Sequence, residues 1–537
     1  MSAESQSPSS VASRRTVLAA GGMAAVAATI GASARPASAR VRLTREQRRV
    51  VIIGSGFGGA VTALRLTQAG VPVTLLEQGR RWPSGPNSDT FPTVKTIDQR
   101  ALFYGSAPRL FGRPVSLAPY AGLFNTLLGP TMSIMSGVGY GGGSLTYQGM
   151  SLQPSRAVFE HEFPAALDYD EMVGHYATVA RMLRLQTAPD GIVDSPNYAT
   201  SREFKRRAEA AGFDVERIPM PVDWSFALRE LRGEMKPSYT NGDCAFGVNN
   251  GGKQSLDVTY LKAAEATGLL EVRLLHRVDA VSRTSTGAWQ VELTRTDERG
   301  TPLEQQVVTT PTLVMGAGSG GTSRMLVRAK ATGRIPDLPD ATGHGFGTNA
   351  DRIYVWTSLL GSFPTPQGGP VVFGSKAWSD PATANTVIQA SLPPIGIAGL
   401  DLDLRSTMMV AYGVSRERGR FVYNALTDDA TLSWRYEGDR ELQTRTIAPR
   451  VAAIAGLDTL LVDTNALVPS TWHPMGGMNM GDACDHEGRV KGQKGLYVLD
   501  GALLPGSAAA CNPSMTIAAV AERAMSRIVR DDVGTVI

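Results

Sequence analysis

The feature that constrains the fold most is a glycine-rich turn between a short apolar run and a helical pattern. Residues 50–53 are β-branched throughout and predict a buried strand, and residues 60–69 predict a helix. The turn between them carries a G-x-G-x-x-G pattern with the residues Gly54, Gly56, Phe57, Gly58 and Gly59. In a dinucleotide-binding unit the first glycine allows the turn, the second lets a pyrophosphate approach, and the third lets helix and strand pack closely. The pattern therefore predicts a nucleotide site near residue 54.

A second apolar run supports this interpretation. Residues 71–76 predict another strand, which ends in Glu77, 18 residues after Gly59 (77 − 59). A carboxylate at that position accepts hydrogen bonds from ribose hydroxyls and repels a 2′-phosphate. Because NAD and FAD share an ADP half, this unit by itself is compatible with either cofactor.

Two later segments favour FAD. Residues 137–145 are rich in glycine, which lets the backbone pass beside a flat cofactor. The run 495–501 predicts a C-terminal strand that ends in Asp500 and Gly501, and residues 516–529 predict a helix. We expect the backbone after Asp500 to turn under a ribityl chain, and the helix to direct its N-terminus at the flavin.

These motifs resemble those of the glucose-methanol-choline (GMC) oxidoreductases, and within them the bacterial cholesterol oxidases that bind FAD non-covalently. The resemblance covers almost all of residues 48–530, and its further motifs are residues 141–145, 251–257, 316–319, 473–477 and 512–513. It adds residues to the glycine pattern, so that the predicted FAD-binding set is Gly54, Gly56, Phe57, Gly58, Gly59, Glu77, Gly143, Met150, Val278, Asp500 and Gly501. No histidine lies within 137–145, so a covalent flavin link is not expected.

The resemblance implies an α/β fold: a Rossmann-like FAD-binding domain with a second α+β substrate domain built on an antiparallel sheet. Because the cofactor motifs are scattered, the FAD-binding domain is predicted to be discontinuous, with segments 45–81, 103–186, 245–340 and 487–537. The substrate-binding domain then comprises 82–102, 187–244 and 341–486. We expect strands near 371–373, 407–412 and 420–423 to form one sheet over the flavin.

The predicted chemistry is oxidation of an alcohol. Hydride transfer from a secondary alcohol to FAD requires a polar group at the substrate oxygen, and the predicted catalytic residues are His473 and Asn512. The imidazole of His473 can accept the hydroxyl proton, and the amide of Asn512 can orient the oxygen.

The function implied by the resemblance is an FAD-dependent oxidase of 3β-hydroxysteroids such as cholesterol. Its partners are a sterol or other bulky alcohol, molecular oxygen that is reduced to peroxide, and a transient membrane surface from which sterol is extracted. Two alternatives stay open. One is a related enzyme that takes another bulky alcohol or another electron acceptor, and the other is a flavoprotein that binds sterol without turnover.

The chain departs from the cholesterol oxidases at three places. Tyr147 and Gln148 replace an Asn-Gly pair beside the flavin, and Ser514 replaces a phenylalanine after the Asn-Pro pair. The third concerns the glutamate with which those enzymes move the ring double bond. No glutamate occurs between residues 304 and 417, and the best match is Gln389, whose amide cannot shuttle a proton. We therefore expect weak or absent isomerase activity.

The N-terminal residues predict export. Arg14 and Arg15 precede an uncharged stretch, 16–34, and a cleavage pattern at 37–39. Residues 1–39 are therefore predicted to be a twin-arginine signal peptide of a secreted protein. With 53 basic and 49 acidic residues, the charge does not predict nucleic-acid binding. The three cysteines, which have no metal-ligand spacing, predict no metal site.

Overall fold

The computed structural model describes residues 42–537 except 94–97, 105–117, 362, 364–365, 392–395, 398–399, 402–404, 436 and 465–468. The predicted signal peptide lies outside these residues. Among the helices of the described chain, none combines the length and the apolar character that a membrane span requires.

A five-stranded, fully parallel sheet forms the centre of the first domain. Its strands in spatial order are Leu496–Val498, Thr312–Met315, Val50–Ile53, Val73–Leu76 and Leu270–Arg273. The strand that precedes the glycine pattern lies in the middle and is buried along its whole length. Helix Phe57–Gln68 follows the pattern and lies between this sheet and the C-terminal helix Pro513–Asp531. The predicted Rossmann-like unit is confirmed.

A six-stranded antiparallel sheet forms the second domain. Its strands in spatial order are Thr459–Asp463, Arg352–Ser358, Ser406–Gly413, Asn385–Ala390, Phe373–Ala377 and Glu216–Arg217. The strand expected at 407–412 lies in it, whereas the strand expected at 371–373 begins only at Phe373. The prediction for 420–423 was wrong in its placement, because Gly419–Asn424 pairs with His344–Phe346 and Asp429–Ser433 in a separate sheet that packs on helix Gly318–Ala331.

Smaller sheets and further helices complete the described architecture. The remaining sheets comprise Arg42–Gln47, Pro302–Thr310, Trp289–Thr296 and His276–Arg283; then Ser470–Thr471, Ser133–Gly137 and Phe124–Leu128; and finally the pair Gly396–Ile397 and Leu400–Asp401. The other α-helices are Arg156–Glu162, Tyr169–Met182, Asp190–Val193, Ala199–Ala210, Trp224–Leu231, Tyr260–Glu265, Glu437–Glu441 and Ala448–Ala455, with a π-helical turn at Leu442–Ile447. The domain boundaries themselves stay a prediction.

A buried ion pair joins the glycine-loop helix to the C-terminal helix. Arg65 donates through Nε and Nη2 to the two carboxylate oxygens of Glu522, each at 2.7 Å. The hydroxyl of Tyr260 donates to the same carboxylate at 2.7 Å, and Glu522 is buried. Because one carboxylate satisfies partners from two other elements, its loss leaves two polar groups without an acceptor.

We predict that Glu522→Ala lowers the free energy of unfolding by about 2 kcal/mol, because the substitution removes hydrogen bonds to a charged group from a buried site. The control is Glu209→Ala, which removes an exposed i,i+4 pair with Lys205 and should cost about 0.5 kcal/mol at most. Thermal or denaturant unfolding of both variants measures the difference. Equal losses in the two variants would show that the buried pair contributes no more than a surface pair.

Candidate active site

The glycine loop is built by close backbone contacts on one side. Gly54 has a φ of +96°, and a Cβ atom there would lie 2.3 Å from the carbonyl oxygen of Gly316. A Cβ on Gly58 would collide with the carbonyl of Leu499, and one on Gly59 with the carbonyl of Gly54. These three positions therefore allow helix, sheet and C-terminal strand to approach each other as closely as they do.

The opposite side of the loop faces free space. A Cβ atom on Gly56 or Gly143 would meet no heavy atom within 4 Å, although Gly142 packs directly against Gly56. Helix Phe57–Gln68 begins beside this space, and no side chain caps its first turn. Unbonded N–H groups at a helix N-terminus bind phosphate. The loop therefore fits the pyrophosphate of a dinucleotide, as the sequence predicts.

Glu77 lies at the end of the second parallel strand and is buried. Its Oε2 accepts from the hydroxyl of Ser55 at 2.6 Å and from the Ser55 amide at 3.2 Å, and its Oε1 accepts from the Gly79 amide at 2.8 Å. Burial raises the pKa of this carboxyl above its ordinary value, and the three hydrogen bonds oppose that rise. A carboxylate has about four acceptor sites. Ser55 and Gly79 fill three of them, and a backbone hydrogen bond from Gly139 also acts on this carboxyl, which leaves little acceptor capacity for the ribose hydroxyls.

The remaining predicted cofactor residues surround the same loop. Val278 lies on strand His276–Arg283, whose first amide donates to the carbonyl of Glu77 at 3.0 Å. Met150 is buried in the core, and Phe57 is partly buried with its ring against that of Tyr147. These residues fit the path that an FAD molecule would take from the glycine loop.

Asp500 links the end of strand Leu496–Val498 to the loop that carries His473. Its carboxylate accepts from the Gly318 amide at 2.8 Å, from the Thr322 hydroxyl at 2.5 Å and from the Ala502 amide at 2.8 Å. Burial raises the pKa of Asp500 to about 6. The carbonyl of the next residue, Gly501, accepts from the amide of Gly476 at 2.8 Å. Gly476 is three residues after His473, so this strand end positions the catalytic loop.

The two predicted catalytic residues are hydrogen-bonded to each other. Asn512 Nδ2 lies 3.0 Å from His473 Nε2. His473 Nδ1 lies 2.7 Å from Oδ1 of Asp351, and the hydroxyl of Tyr412 donates to Asn512 Oδ1 at 2.7 Å. The result is a continuous chain of four polar groups from four distant segments.

This chain of contacts fixes the tautomer of the imidazole. Because Tyr412 donates to Oδ1 of Asn512, the amide nitrogen of Asn512 faces His473 and can only donate. Nε2 of His473 must then accept, and the single proton of a neutral ring sits on Nδ1, toward Asp351. His473 therefore presents an unprotonated Nε2, which is the form that a general base requires.

Both loops that carry these groups are held in restricted backbone conformations. Ala350, which precedes Asp351, has a φ of +54°, and Ala510, two residues before Asn512, has a φ of +59°. Asn349 ties the two loops together, since its Nδ2 donates to the carbonyl of Cys511 at 2.7 Å. Left-handed alanines are costly and persist only where surrounding contacts impose them, so the relative placement of the two loops is firmly determined.

Gln389 does not belong to this site. Its Oε1 accepts from the hydroxyl of Ser201, on helix Ala199–Ala210, at 2.7 Å, and its Nε2 donates to Thr407 at 3.1 Å. Side chains alternate between the faces of a strand, and Thr386 and Tyr412, which form a pair across the strands, lie on the face toward Asn512. Gln389 is an odd number of residues from Thr386 and therefore points to the opposite face, which packs on helix Ala199–Ala210 and is called the helical face. Its assignment to the steroid site was wrong.

The sequence missed Asp351 and Tyr412. Asp351 stands in no motif, and 121 residues lie between it and His473 (473 − 351 − 1). Tyr412 ends a predicted strand, and alternation alone cannot tell which face of a strand carries the site. The signal that could have found Asp351 is general: a catalytic imidazole with its second nitrogen on a carboxylate is a recurring arrangement.

Two of the positions where the chain departs from the family it resembles carry buried hydroxyls. The hydroxyl oxygens of Tyr147 and Ser514 are buried and have no hydrogen-bond partner within the described part of the chain. Gln148, in contrast, accepts from the amide of Val371 at 3.3 Å. Buried hydroxyls are normally paired, so these two hydroxyls are available to a bound molecule.

Comparison with known proteins gives two family matches. Residues 427–521 match the GMC oxidoreductase model for the C-terminal part of these enzymes, and residues 52–105 match the NAD(P)-binding Rossmann-like domain. The first match contains both predicted catalytic residues, and the second contains the glycine loop and Glu77.

Curated relatives extend over most of the chain. A cholesterol oxidase of Mycobacterium tuberculosis is 28% identical, over 89% of this chain and 90% of that protein. A cholesterol oxidase of Acinetobacter baumannii is 27% identical, over 89% and 94%. A 2-methyl-1,2-propanediol dehydrogenase of Mycolicibacterium austroafricanum is 26% identical, over 56% and 54%.

A solved structure shows the same fold. The pyridoxine 4-oxidase from Mesorbium loti superimposes with a TM-score of 0.54 at 14% identity, and covers 89% of this chain and 99% of its own. At that identity the likeness concerns the fold alone. The family matches and the relatives named cholesterol oxidase show that the chain resembles the GMC oxidoreductases, and they identify it as an FAD-dependent oxidoreductase that acts on alcohol donors.

Proposed function

We propose that the protein is a secreted oxidase of 3β-hydroxysteroids such as cholesterol, which passes electrons to molecular oxygen and releases hydrogen peroxide. The observation that carries this proposal is a strip of apolar side chains that begins at the catalytic residues. Ile353 and Val355 pair with Val410 and Met408 across two neighbouring strands, and all four are partly exposed.

The strip lies on the face of the antiparallel sheet from which Tyr412 reaches the hydrogen-bonded series Asn512, His473 and Asp351. Met408, Val410 and Tyr412 alternate along one strand and therefore share a face, and Tyr412 reaches Asn512 from it. At about 3.4 Å per residue, the distance from Tyr412 to Met408 is about 14 Å. A flat, rigid, apolar alcohol can lie along this strip with its hydroxyl at His473 and Asn512, which is the shape of a sterol.

Bound FAD supplies the hydride acceptor, and the residues of this chain manage the proton and the orientation. Because Nε2 of His473 has a single lone pair, the substrate hydroxyl takes the place of the Asn512 N–H there and transfers its proton to Nε2. The Asp351 carboxylate stabilises the resulting imidazolium through Nδ1. The Asn512 amide has two N–H groups, of which one contacts His473. The second can donate to the substrate oxygen and hold the carbon that loses hydride toward the cofactor.

The relatives named cholesterol oxidase support the sterol proposal, and the relative named 2-methyl-1,2-propanediol dehydrogenase keeps another alcohol or another acceptor as the second candidate. A flavoprotein that only binds sterol would have no use for an imidazole held unprotonated between a carboxylate and an amide. The hydrogen bonds that hold His473 between Asp351 and Asn512 therefore favour turnover over binding alone.

We propose further that steroid isomerisation is weak or absent. The three central strands of the antiparallel sheet present no carboxylate on the site face, where the side chains include Thr386, Ile388, Ala390, Ile353, Val355, Met408, Val410 and Tyr412. Without a carboxylate there, no side chain of these strands can carry a proton between two ring carbons. Two aspartates follow strand Asn385–Ala390 and could serve as a base instead: Asp403 lies outside the described residues, and Asp401 lies on the short strand Leu400–Asp401.

Export and membrane contact remain part of the proposal. The paired Arg14 and Arg15 support twin-arginine export. Leu359 and Leu360 are exposed at the end of strand Arg352–Ser358 that is distant from Asp351. The exposed Leu457 is next to Asp458, whose carbonyl accepts from the Leu359 amide at 3.0 Å. Exposed leucines at the far end of the strip suit a transient contact with a lipid surface from which sterol enters.

The first test measures both products from cholesterol. We expect peroxide release to outpace the ultraviolet absorbance of the conjugated enone, because the 3-ketone forms without movement of the double bond. Equal rates would contradict the isomerase proposal, and absence of peroxide with reduction of an artificial acceptor would contradict the oxidase proposal. Gln389→Glu serves as a control and should leave the ratio unchanged, since that side chain faces helix Ala199–Ala210.

Asp351→Asn should lower kcat by roughly 10²-fold or more, with a much smaller change in KM. An amide at this position can donate to Nδ1, which moves the ring proton to Nε2 and removes the base. The matched control is Asp463→Asn, an aspartate that pairs with Arg352. Steady-state kinetics of both variants, with flavin spectra to confirm loading, decide the matter. If the Asp351 variant kept wild-type kcat, the carboxylate would have no role in holding the base.

The cofactor should be bound non-covalently. We expect acid or heat to precipitate the protein and release all of its flavin as FAD, because no histidine lies in 137–145. Chromatography of the supernatant and absorbance of the washed pellet measure the two fractions. Yellow colour retained in the pellet would contradict this expectation.

A further inference from the structure

Tyr147 lies between the glycine loop and the substrate sheet. Its ring contacts that of Phe57 with centroids 5.5 Å apart, and Phe57 is the first residue of the helix after the pyrophosphate loop. The next residue, Gln148, contacts the amide of Val371 in the second domain. An FAD molecule with its pyrophosphate at Gly56 would lie close to this position, because the Tyr147 ring contacts the residue that follows Gly56.

The hydroxyl of Tyr147 is suited to donate a hydrogen bond. Its oxygen is buried and has no partner within the described residues, although the ring remains partly exposed. Burial raises the pKa of Tyr147 above its ordinary value, so the hydroxyl stays protonated. Buried tyrosine hydroxyls are normally paired, and this one lies beside the helix that follows the pyrophosphate loop, where a bound cofactor can accept its hydrogen bond.

Lys253 holds this tyrosine in place. Its Nζ donates to the carbonyl oxygens of Leu145 at 2.9 Å and Tyr147 at 2.6 Å, and lies 5.1 Å from the centroid of the Tyr147 ring. Burial lowers the pKa of Lys253 to about 7, so the cation predominates below neutral pH. A cation on the ring face withdraws electron density and makes the phenol a stronger donor. Lys253 is thus a positioning residue for the Tyr147 hydroxyl.

We propose that Tyr147 donates a hydrogen bond to the polar edge of the bound flavin and thereby raises its reduction potential. Reduction increases the negative charge on that edge, so a donor stabilises the reduced form more than the oxidised form. The cholesterol oxidases that the chain resembles place an asparagine here. The contact would therefore give the flavin of this protein a reduction potential different from that in those enzymes, and the difference would not depend on the alcohol that is oxidised.

The test is an anaerobic, stepwise reduction of the holoenzyme beside a reference dye at pH 6, without substrate. In Tyr147→Phe the ratio of reduced to oxidised flavin at a fixed dye potential should fall about three- to tenfold, the scale of one lost hydrogen bond. The matched control is Tyr239→Phe, which removes an equally unpaired hydroxyl from a fully buried ring against Trp224 and should leave the ratio unchanged.

An unchanged ratio in Tyr147→Phe, or the same fall in both variants, would overturn the proposal. A crystal structure of the wild-type holoenzyme provides a second measurement that needs no variant. A Tyr147 oxygen within about 3.2 Å of a flavin nitrogen or oxygen supports the proposal, and a distance beyond about 4 Å from every such atom overturns it. Neither measurement uses a sterol, so failure of the sterol proposal leaves this test unaffected.

Discussion

The buried carboxylate of Asp500 is the interaction on which the rest of the site depends. It ends the C-terminal strand of the parallel sheet, accepts from Gly318 and Thr322 at the start of one helix, and fixes the turn that contains Gly501. The carbonyl of Gly501 then holds the loop of His473. The same strand end meets the glycine-loop helix at Gly58, where only a glycine fits. One strand end thus sets the distance between the glycine loop and His473, the candidate general base.

The hydrogen bonds around the His473 imidazole depend on that arrangement. A neutral imidazole serves as a base only while its tautomer and orientation are maintained, and here the carboxylate of Asp351 and the amide of Asn512 impose both. The left-handed alanines beside them store strain of about 1–3 kcal/mol each. Such strain is tolerated because hydrogen bonds from Asn349 and Gln443 to backbone carbonyls over-determine these loops. Rigidity of this kind suits hydride transfer, which tolerates little error in distance.

The sequence predicts the parts of the site that are local and misses those that depend on tertiary contacts. The glycine loop, Glu77, His473 and Asn512 stand in short motifs whose chemistry can be recognised without a structure. Asp351 does not, because its role arises only when a loop of the second domain meets the His473 loop. Gln389 was placed wrongly for a related reason. The alternation of side chains along a strand shows that neighbouring residues point to opposite faces of the sheet, but only a contact such as that of Tyr412 with Asn512 shows which face carries the site.

The two faces of the antiparallel sheet differ in a way that bears on the substrate. On the helical face the polar side chains of Gln389, Asn385 and Thr407 are buried and paired, the first two with Ser201 and Arg450. On the site face apolar side chains such as Val355 and Val410 remain partly exposed. A soluble protein usually buries its apolar side chains, so the partly exposed apolar strip is the unusual feature of this sheet. Polar burial is tolerated because these three side chains are hydrogen-bonded, whereas apolar exposure costs free energy until a ligand covers it. The arrangement therefore favours an apolar substrate that lies flat on the sheet, with its single polar group at the end where His473 and Asn512 meet.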